Sequence, residues 1–215
     1  MTTDTYVLSG MRAADGGARL LLQVQVQTPL CSEVKTLSVF SARLQRMPRC
    51  GALTEEEYRL LCEEAELTHA MDIGLRLLGA NGVSQLQLVQ KMQHRGVKSA
   101  TARAAVRELS ARGYLDECRG ALHEAQKGLG KLWGDRRILA DLRAKGYGEA
   151  ALAEAVALLA EGNGTERCAK LMARRRMALP RNEEELSRFM ASLMRYGYTA
   201  SEIKRACRLY KDFNP

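Results

Sequence analysis

The chain has 215 residues, of which 46% are hydrophobic and 27% are charged, a composition typical of a soluble globular protein and too apolar for a disordered one. Its formal net charge of +8 favours acidic partners, and the excess lies in residues 165–215, which hold 12 Lys and Arg against 6 Asp and Glu. We find no N-terminal leader and no run near the ~18 apolar residues that cross a bilayer, so we expect a cytoplasmic protein.

The first fifty residues carry a β pattern. Apolar residues at positions 20, 22, 24 and 26 alternate with more polar ones, which is the period of a half-buried strand. Tyr6 to Leu8 precede it, and Asp15-Gly16-Gly17 between them suits a tight reversal because glycine tolerates a positive φ. We therefore predict that residues 1–53 form a small β-hairpin region, with Val34 to Phe40 as a weaker third strand.

From residue 54 onward the pattern is helical. Several helix starts pair a Ser, Thr or Asn with a Glu or Gln three residues later, so that the two side chains can cap each other's free amides. We expect Asp135 to cap a further helix. The predicted starts are Thr54 to Glu57, Ser84 to Gln87, Asn182 to Glu185 and Thr199 to Glu202.

Three glycines, Gly96, Gly146 and Gly197, mark an internal repeat with spacings of about 50 residues. Apolar or aromatic residues recur at fixed distances from each glycine, with the spacings of three and four that share one helix face. Each glycine is expected in the left-handed conformation at a helix end. The matching sets are Leu88, Ile138 and Phe189; Met92, Leu142 and Leu193; Val97, Tyr147 and Tyr198; Ala102, Leu152 and Ile203; Val106, Val156 and Cys207; and Leu109, Leu159 and Tyr210.

The repeat predicts a mainly α protein of three tandem three-helix units, each with a helix-turn-helix outline. A preceding helix, at about 65–78, 119–132 and 166–178, supplies the third wall of each unit. Because a unit of about 50 residues buries little surface alone, we expect an elongated curved array. The predicted units are 54–117, 118–164 and 165–215, following the β region.

Catalytic chemistry is poorly supported. The histidines His69, His94 and His123 lie far apart, and none adjoins a nucleophile motif. The six cysteines stand singly and lack zinc-ligand spacing, so we expect reduced, partly buried thiols and no metal or cofactor. Gly128-Leu129-Gly130 has no preceding strand and no phosphate-loop ending, so flexibility or close helix contact explains it better.

Basic residues near the middle and last units are the candidates for partner binding. A solvated face is an equally good interpretation of such charges. Arg136 and Arg137 open a helix where the dipole disfavours cations, which an external acidic partner would explain. We assign Trp133, Tyr147 and Tyr198 to packing. The candidates are Lys127, Lys131, Arg136, Arg137, Arg143, Lys145, Arg174, Arg175 and Arg176; Arg181, Arg188 and Arg195 accompany them.

Two sequence segments resemble the RecX family of regulatory proteins. Gly113-Tyr114-Leu115-Asp116-Glu117 with Ala121 resembles one family motif, and Gly134-Asp135-Arg136-Arg137-Ile138 with Leu142, Lys145, Gly146 and Tyr147 resembles another. Weaker likeness in Ala70 to Leu78, Leu88 to Gly96 and Leu193 to Tyr198 extends the match over about 54–215. Gly120 departs from the pattern, and the run 174–176 matches no motif.

The resemblance implies an all-α repeat protein without enzymatic activity that binds the RecA recombinase filament on single-stranded DNA. It implies modulation, usually inhibition, of recombinase and coprotease activity, and hence a role in DNA repair, homologous recombination and the SOS response. We expect a monomer with no membrane partner and at most weak direct contact with DNA. A DNA-binding helix-turn-helix regulator is the alternative, although residues 149–160 contain no base-reading side chain.

Overall fold

The computed structural model describes residues 4–79 and 82–213. Four strands come first: β1 Thr5–Ala14, β2 Arg19–Gln27, β3 Ser32–Phe40 and β4 Gly51–Leu53. The described residues then form nine α-helices: α1 Glu55–Leu78, α2 Gln85–Gln93, α3 Ser99–Ala111, α4 Glu117–Gly130, α5 Asp135–Ala144, α6 Glu149–Ala160, α7 Gly164–Arg174, α8 Glu183–Arg195 and α9 Ala200–Phe213. The protein is therefore mainly helical, with a small N-terminal antiparallel sheet.

The predicted hairpin is confirmed and is part of a larger sheet. Strands β1 and β2 pair antiparallel across the turn, where Gly16 and Gly17 have φ of 65° and 94°. Strand β3 pairs with β2, as predicted, while β4 pairs with β1 and gives the order β3-β2-β1-β4. The hairpin prediction was thus too small, because β4 was missed. The apolar residues that alternate along β2 are all buried: Leu20, Leu22, Val24 and Val26.

All four predicted helix starts are capped by hydrogen bonds. The Thr54 hydroxyl accepts from the Glu57 amide while the Glu57 carboxylate accepts from the Thr54 amide, and Ser84 with Gln87 does the same. Thr199 with Glu202 repeats this pattern, and Asn182 accepts from the Glu185 amide. The prediction for Asp135 was wrong: Gly134 is the N-cap and Asp135 is the first residue of α5.

Glycine ends the first helix of each predicted pair. Gly96, Gly146 and Gly197 have φ of 85°, 76° and 95°, which confirms the left-handed conformation expected of them. Most residues in register with these glycines are buried. Val156 is an exception, since it is 47% exposed, and Val97 and Cys207 are half-buried.

The described residues divide into two compact units. The first contains residues up to Leu77 together with Val89–Arg112, and the second contains Leu78–Leu88 together with the chain from Gly113. The boundaries 54–117, 118–164 and 165–215, and the superposition of three units, remain predictions.

In the first unit, the sheet is tied to helices by ion pairs. Arg19 pairs with Asp72 of α1, and Arg43 bridges Glu64 of α1 and Glu108 of α3. Apolar side chains of the sheet pack against Leu61 of α1. A Cβ at Gly74 of α1 would come within 2.6 Å of Leu109, so these helices approach closely.

In the second unit, two helix triplets enclose separate cores. Helices α4, α5 and α6 surround a cluster that includes Ile138, Leu142 and Leu152, and α7, α8 and α9 surround one that includes Leu171, Leu193 and Ile203. Gly128 of α4 makes room for α5, because a Cβ there would lie 2.7 Å from Ile138. The interpretation of this glycine as a close helix contact is confirmed.

Candidate partner-binding surface

The second unit contains two contacts with the same register, which we call the first and second junctions. At the first junction, residues 82–87 at the start of α2 meet the turn after α5. The Ser84 hydroxyl donates to the Lys145 carbonyl at 2.5 Å, and the Tyr147 hydroxyl donates to the Gly82 carbonyl at 3.3 Å. The Gln85 amide donates to the Glu117 carboxylate at 2.7 Å.

At the second junction, residues 132–137 at the start of α5 meet the turn after α8. The Gly134 amide donates to the Tyr196 carbonyl at 2.7 Å, and the Tyr198 hydroxyl donates to the Leu132 carbonyl at 2.8 Å. Leu132 has a φ of 58°, a strained conformation for a residue with a branched side chain. Each residue in these two hydrogen bonds lies 50 or 51 residues after its counterpart at the first junction. The contacts therefore repeat with the same spacing as the sequence.

Burial at the junctions raises tyrosine pKa values. Tyr147 is 4% exposed and Tyr198 is 1% exposed, which confirms their assignment to packing. Loss of hydration raises the pKa of Tyr147 to about 12 and that of Tyr198 further above its ordinary value. Both hydroxyls therefore remain neutral donors in the folded protein at physiological pH.

Stacked cations and aromatic rings line the second junction. The Arg137 guanidinium lies 4.2 Å from the centre of the Trp133 ring and 5.3 Å from that of Tyr196. Lys131 lies 4.7 Å from the Trp133 ring, and Arg175 lies 4.7 Å from the Tyr196 ring. These four contacts place Lys131, Arg137 and Arg175, three of the predicted partner-binding residues, against two aromatic rings of the same chain. Trp133 is half-buried against the α4–α6 core, in agreement with a packing role.

Further hydrogen bonds fix this cluster. Arg137 donates to the Arg195 carbonyl at 3.4 Å, and Arg174 donates to the Lys131 carbonyl at 2.9 Å. Arg137 is half-buried. The sequence singled out Arg137 because the helix dipole disfavours a cation near a helix N-terminus. The two aromatic rings and the Arg195 carbonyl that Arg137 contacts explain its position without an external ligand.

Two of the predicted lysines are neutralised within the chain. Lys127 and Lys145 both pair with Glu124, and Lys145 also pairs with Asp141 at 2.7 Å. Burial alone would raise the pKa of Glu124, but hydrogen bonds from the two lysines lower it below its usual value. Lys127 and Lys145 therefore carry less available charge than the sequence suggested.

Arg136 and Arg143 are the open cations of α5. Both are exposed, and neither side chain forms an ion pair with any described residue. They stand seven residues apart, two helical turns, and so share one face of the helix. Arg176, also exposed, lines a cleft of about 570 Å³ with Met177, Leu179 and Tyr210. The predicted cations thus form two groups: those without an ion-pair partner among the described residues, and those that already have a partner within the chain.

An ion pair that the sequence did not reveal joins Asp135, at the second junction, to a buried arginine. Asp135 pairs with Arg167, whose side chain is only 9% exposed. Burial raises the pKa of Asp135, while Arg167 opposes that rise. The Nε of Arg167 has no hydrogen-bond partner among the described residues. No sequence signal pointed to this pair, because its members are 32 residues apart.

The thiols and acidic groups show no metal-binding arrangement in the described part of the chain. All six cysteines carry thiols; Cys31 and Cys50 are exposed, Cys168 is buried, and the other three are half-buried. Burial raises the pKa of Cys168 to about 12, so its thiol stays protonated. Among residues 4–79 and 82–213, no set of three or more His, Cys, Asp or Glu could hold a metal ion. Over the same residues, no helix is both long and apolar enough to span a membrane.

Comparison with known proteins places the fold. A crystal structure of regulatory protein RecX matches with a TM-score of 0.71 at 16% identity, covering 94% of this chain and 99% of that one. RecX from Lactobacillus salivarius matches with a TM-score of 0.58 at 13% identity, covering 68% of this chain and 97% of that one. No protein-family model matches, and no curated protein is similar in sequence. The chain has a RecX-like fold.

Proposed function

We propose that this protein is a RecX-type regulator that binds the RecA recombinase filament on single-stranded DNA and inhibits its recombinase and coprotease activities. The observation that carries the proposal is the likeness of fold to a RecX structure over 94% of the chain. The motifs Gly113 to Glu117 and Gly134 to Ile138 support it from the sequence. The proposal includes three superposable helical units, a monomeric state and a place in the cytoplasm.

The open cations of α5 are the best candidates for the filament contact. Arg136 and Arg143 share an exposed face and have no ion-pair partner among the described residues, so their charge is free for a partner. Arg137, Lys127 and Lys145 already have partners inside the chain. All three arginines of the run 174–176 are exposed, and Arg176 is the one that lines the cleft.

A binding titration with and without recombinase tests this function. The protein should bind a RecA-coated oligonucleotide tightly at physiological salt and the naked oligonucleotide much more weakly. Because truncating a desolvated charged contact costs ~2–5 kcal/mol, combined Arg136→Ala and Arg143→Ala should weaken filament binding at least about tenfold and relieve inhibition of strand exchange in parallel.

The matched control is combined Lys35→Ala and Arg59→Ala. It removes the same charge, but each cation is exposed and already paired with a glutamate, Lys35 with Glu33 and Arg59 with Glu63. It should leave filament binding unchanged. Equal binding of coated and naked strands would contradict the filament proposal, and unchanged affinity of the α5 variant would place the contact elsewhere.

The proposal also assigns no chemistry to the protein itself. The sequence has no phosphate-binding loop, so the purified protein without RecA should release no phosphate from ATP. A colorimetric phosphate assay, with RecA on single-stranded DNA as the positive control, measures this. Phosphate release that copurifies with the chain would contradict a purely regulatory role.

A further inference from the structure

Helix α9 presents a row of cations outside the surfaces described above. Lys204, Arg205 and Arg208 are exposed, and Lys204 and Arg208 stand four residues apart, about 6 Å along the helix axis. None of the three side chains forms an ion pair or hydrogen bond within the described chain. We call these three residues the α9 row.

The same positions are cationic on α3. Lys204 and Arg208 lie seven and eleven residues after the turn glycine Gly197, and Arg103 and Arg107 lie seven and eleven residues after Gly96. Both arginines are exposed and without an ionic partner in the part of the chain described. We call them the α3 row. The same spacing from the turn glycine therefore places two cations without an ionic partner on α3 and two on α9.

Helix α6 breaks the pattern. Its residues at the same distances from Gly146 are Ala153 and Ala157, both exposed. The exposed positions of α6 are otherwise glutamate, alanine and Val156. The cations on α3 and α9 are therefore not a general requirement of an exposed second helix.

The acidic side chains that the structure describes on the two helices do not neutralise these rows. Glu202 of α9 accepts hydrogen bonds from the amide and hydroxyl of Thr199. Glu108 of α3 pairs with Arg112 and Arg43, which lowers its pKa. The positive charge of each row is consequently available to an external anion.

The composition of both surfaces favours a polynucleotide over an acidic protein. The exposed residues of α3, and those described on α9, are all Ser, Ala, Lys or Arg. The centre of a protein interface is rich in aromatic and apolar side chains and poor in lysine. Phosphate contacts, in contrast, come from Arg, Lys and Ser, and they need no apolar anchor.

We propose that the α9 row and the α3 row bind the phosphate backbone of a nucleic acid without reading its sequence, and that α6 takes no part. In a helix-turn-helix unit the second helix is the one that approaches the nucleic acid. Neither row offers an exposed aromatic ring for base stacking, so binding is electrostatic and strongly salt-dependent. This interaction does not require RecA.

Fluorescence anisotropy with the full-length protein, a fluorescein-labelled single-stranded oligonucleotide and no RecA tests the proposal. Wild-type affinity should fall steeply between ~50 and ~200 mM salt, and each lost phosphate contact should reduce the slope by about 0.7. Combined Lys204→Ala and Arg208→Ala should therefore lower the slope by about 1.4 and weaken binding at low salt about tenfold. Combined Arg103→Ala and Arg107→Ala should act in the same direction.

The paired variant Lys35→Ala with Arg59→Ala serves as the control of equal charge and should keep the wild-type slope. All variants should melt near the wild-type temperature, because the altered side chains are exposed. A duplex of the same sequence should give the same ranking, since both forms offer phosphates. A variant at Lys204 and Arg208 that binds the oligonucleotide like wild type overturns the proposal.

Parallel titrations with the RecA-coated strand separate this proposal from the proposed function. Loss of naked-strand binding with intact filament binding supports the phosphate contact and leaves the filament role standing. Normal naked-strand binding with weakened filament binding would overturn the phosphate contact, because the α9 row would then meet protein. A wild-type protein that binds filaments but no naked strand, even at low salt, also overturns it.

Discussion

The first and second junctions use one backbone arrangement with different side chains. In both, a tyrosine after a turn glycine donates to a carbonyl near the start of an earlier helix. The first junction adds the Ser84 hydroxyl and the Glu117 carboxylate, whereas the second adds Arg137 between two aromatic rings. The shared part is the hydrogen bond from the tyrosine hydroxyl to the carbonyl, and the side chains around it vary.

The largest effect should come from filling a close backbone contact at either junction. A Cβ at Gly134 would overlap the backbone of Gly197, and a Cβ at Gly82 would overlap the backbone of Gly120. Backbone cannot yield as a flexible side chain does, so Gly134→Ala and Gly82→Ala should each lower the free energy of unfolding by about 3 kcal/mol. Urea titration followed by circular dichroism measures this.

Gly130→Ala is the control for these two variants. Gly130 ends α4, and a Cβ there would meet no atom within 4 Å. Because alanine costs less helix entropy than glycine, this change should be neutral or should stabilise by up to ~1 kcal/mol. If Gly134→Ala were as mild as Gly130→Ala, Gly134 and Gly197 would not form a close backbone contact at the second junction.

The next effect distinguishes the junctions. Arg137→Ala removes two cation–π contacts and a carbonyl hydrogen bond, and we expect a loss of ~1–2 kcal/mol of unfolding free energy. Gln87, 50 residues earlier, accepts a single hydrogen bond from the Ser84 amide at 3.3 Å, so Gln87→Ala should cost about 0.5 kcal/mol. Arg136→Ala, at an exposed site, should stay within ~0.5 kcal/mol.

This comparison also refines the candidate site. A large stability loss for Arg137→Ala with unchanged stability for Arg136→Ala would establish that only the second is suited to a binding test. Equal and negligible losses would show that the Arg137 stack contributes nothing to folding. In that case Arg137 would again be a candidate for partner binding.

A smaller effect should come from the two hydroxyls. Tyr198→Phe leaves the Leu132 carbonyl without its 2.8 Å donor and should cost about 1.5 kcal/mol, while Tyr147→Phe removes a 3.3 Å bond and should cost about 0.5 kcal/mol. Chemical denaturation of both variants gives the ranking. A reversed ranking would mean that bond length does not reflect strength at these sites.

Alkaline pH should weaken both junctions without mutation. The folded pKa of Tyr147 is about 12, above its ordinary value of 10.0, so its neutral form is favoured by folding. Its contribution is complete below pH 10 and is lost as pH rises from about 10 to about 12. Tyr147→Phe should reduce this loss, and a melting temperature equally pH-dependent in both proteins would contradict the assignment.

Local features were predictable from the sequence. The capping pairs, such as Thr54 with Glu57, depend on residues three apart, and the positive φ of Gly146 follows from a turn that only glycine enters easily. The burial of Leu20 and Leu22 follows from strand alternation. In each case the determining contacts lie within a few residues.

Features that depend on distant partners were not predictable. Strand β4 has three residues, too few for a periodic pattern, and exists through its pairing with Tyr6 to Leu8. Arg137 and Asp135 were judged by their place in α5, but their surroundings come from Tyr196 and Arg167, far along the chain. Charge counting could not tell these engaged residues from the open Arg136 and Arg143.

Trp133 is the only tryptophan of the chain, and its ring lies at the second junction beneath Arg137 and Lys131. Intrinsic fluorescence excited at the indole band therefore reports this one place in the molecule. A fluorescence change that precedes the loss of helical circular dichroism during denaturation would reveal the second junction opening before the helices unfold. The protein thus carries its own optical probe of that contact, and no label is needed.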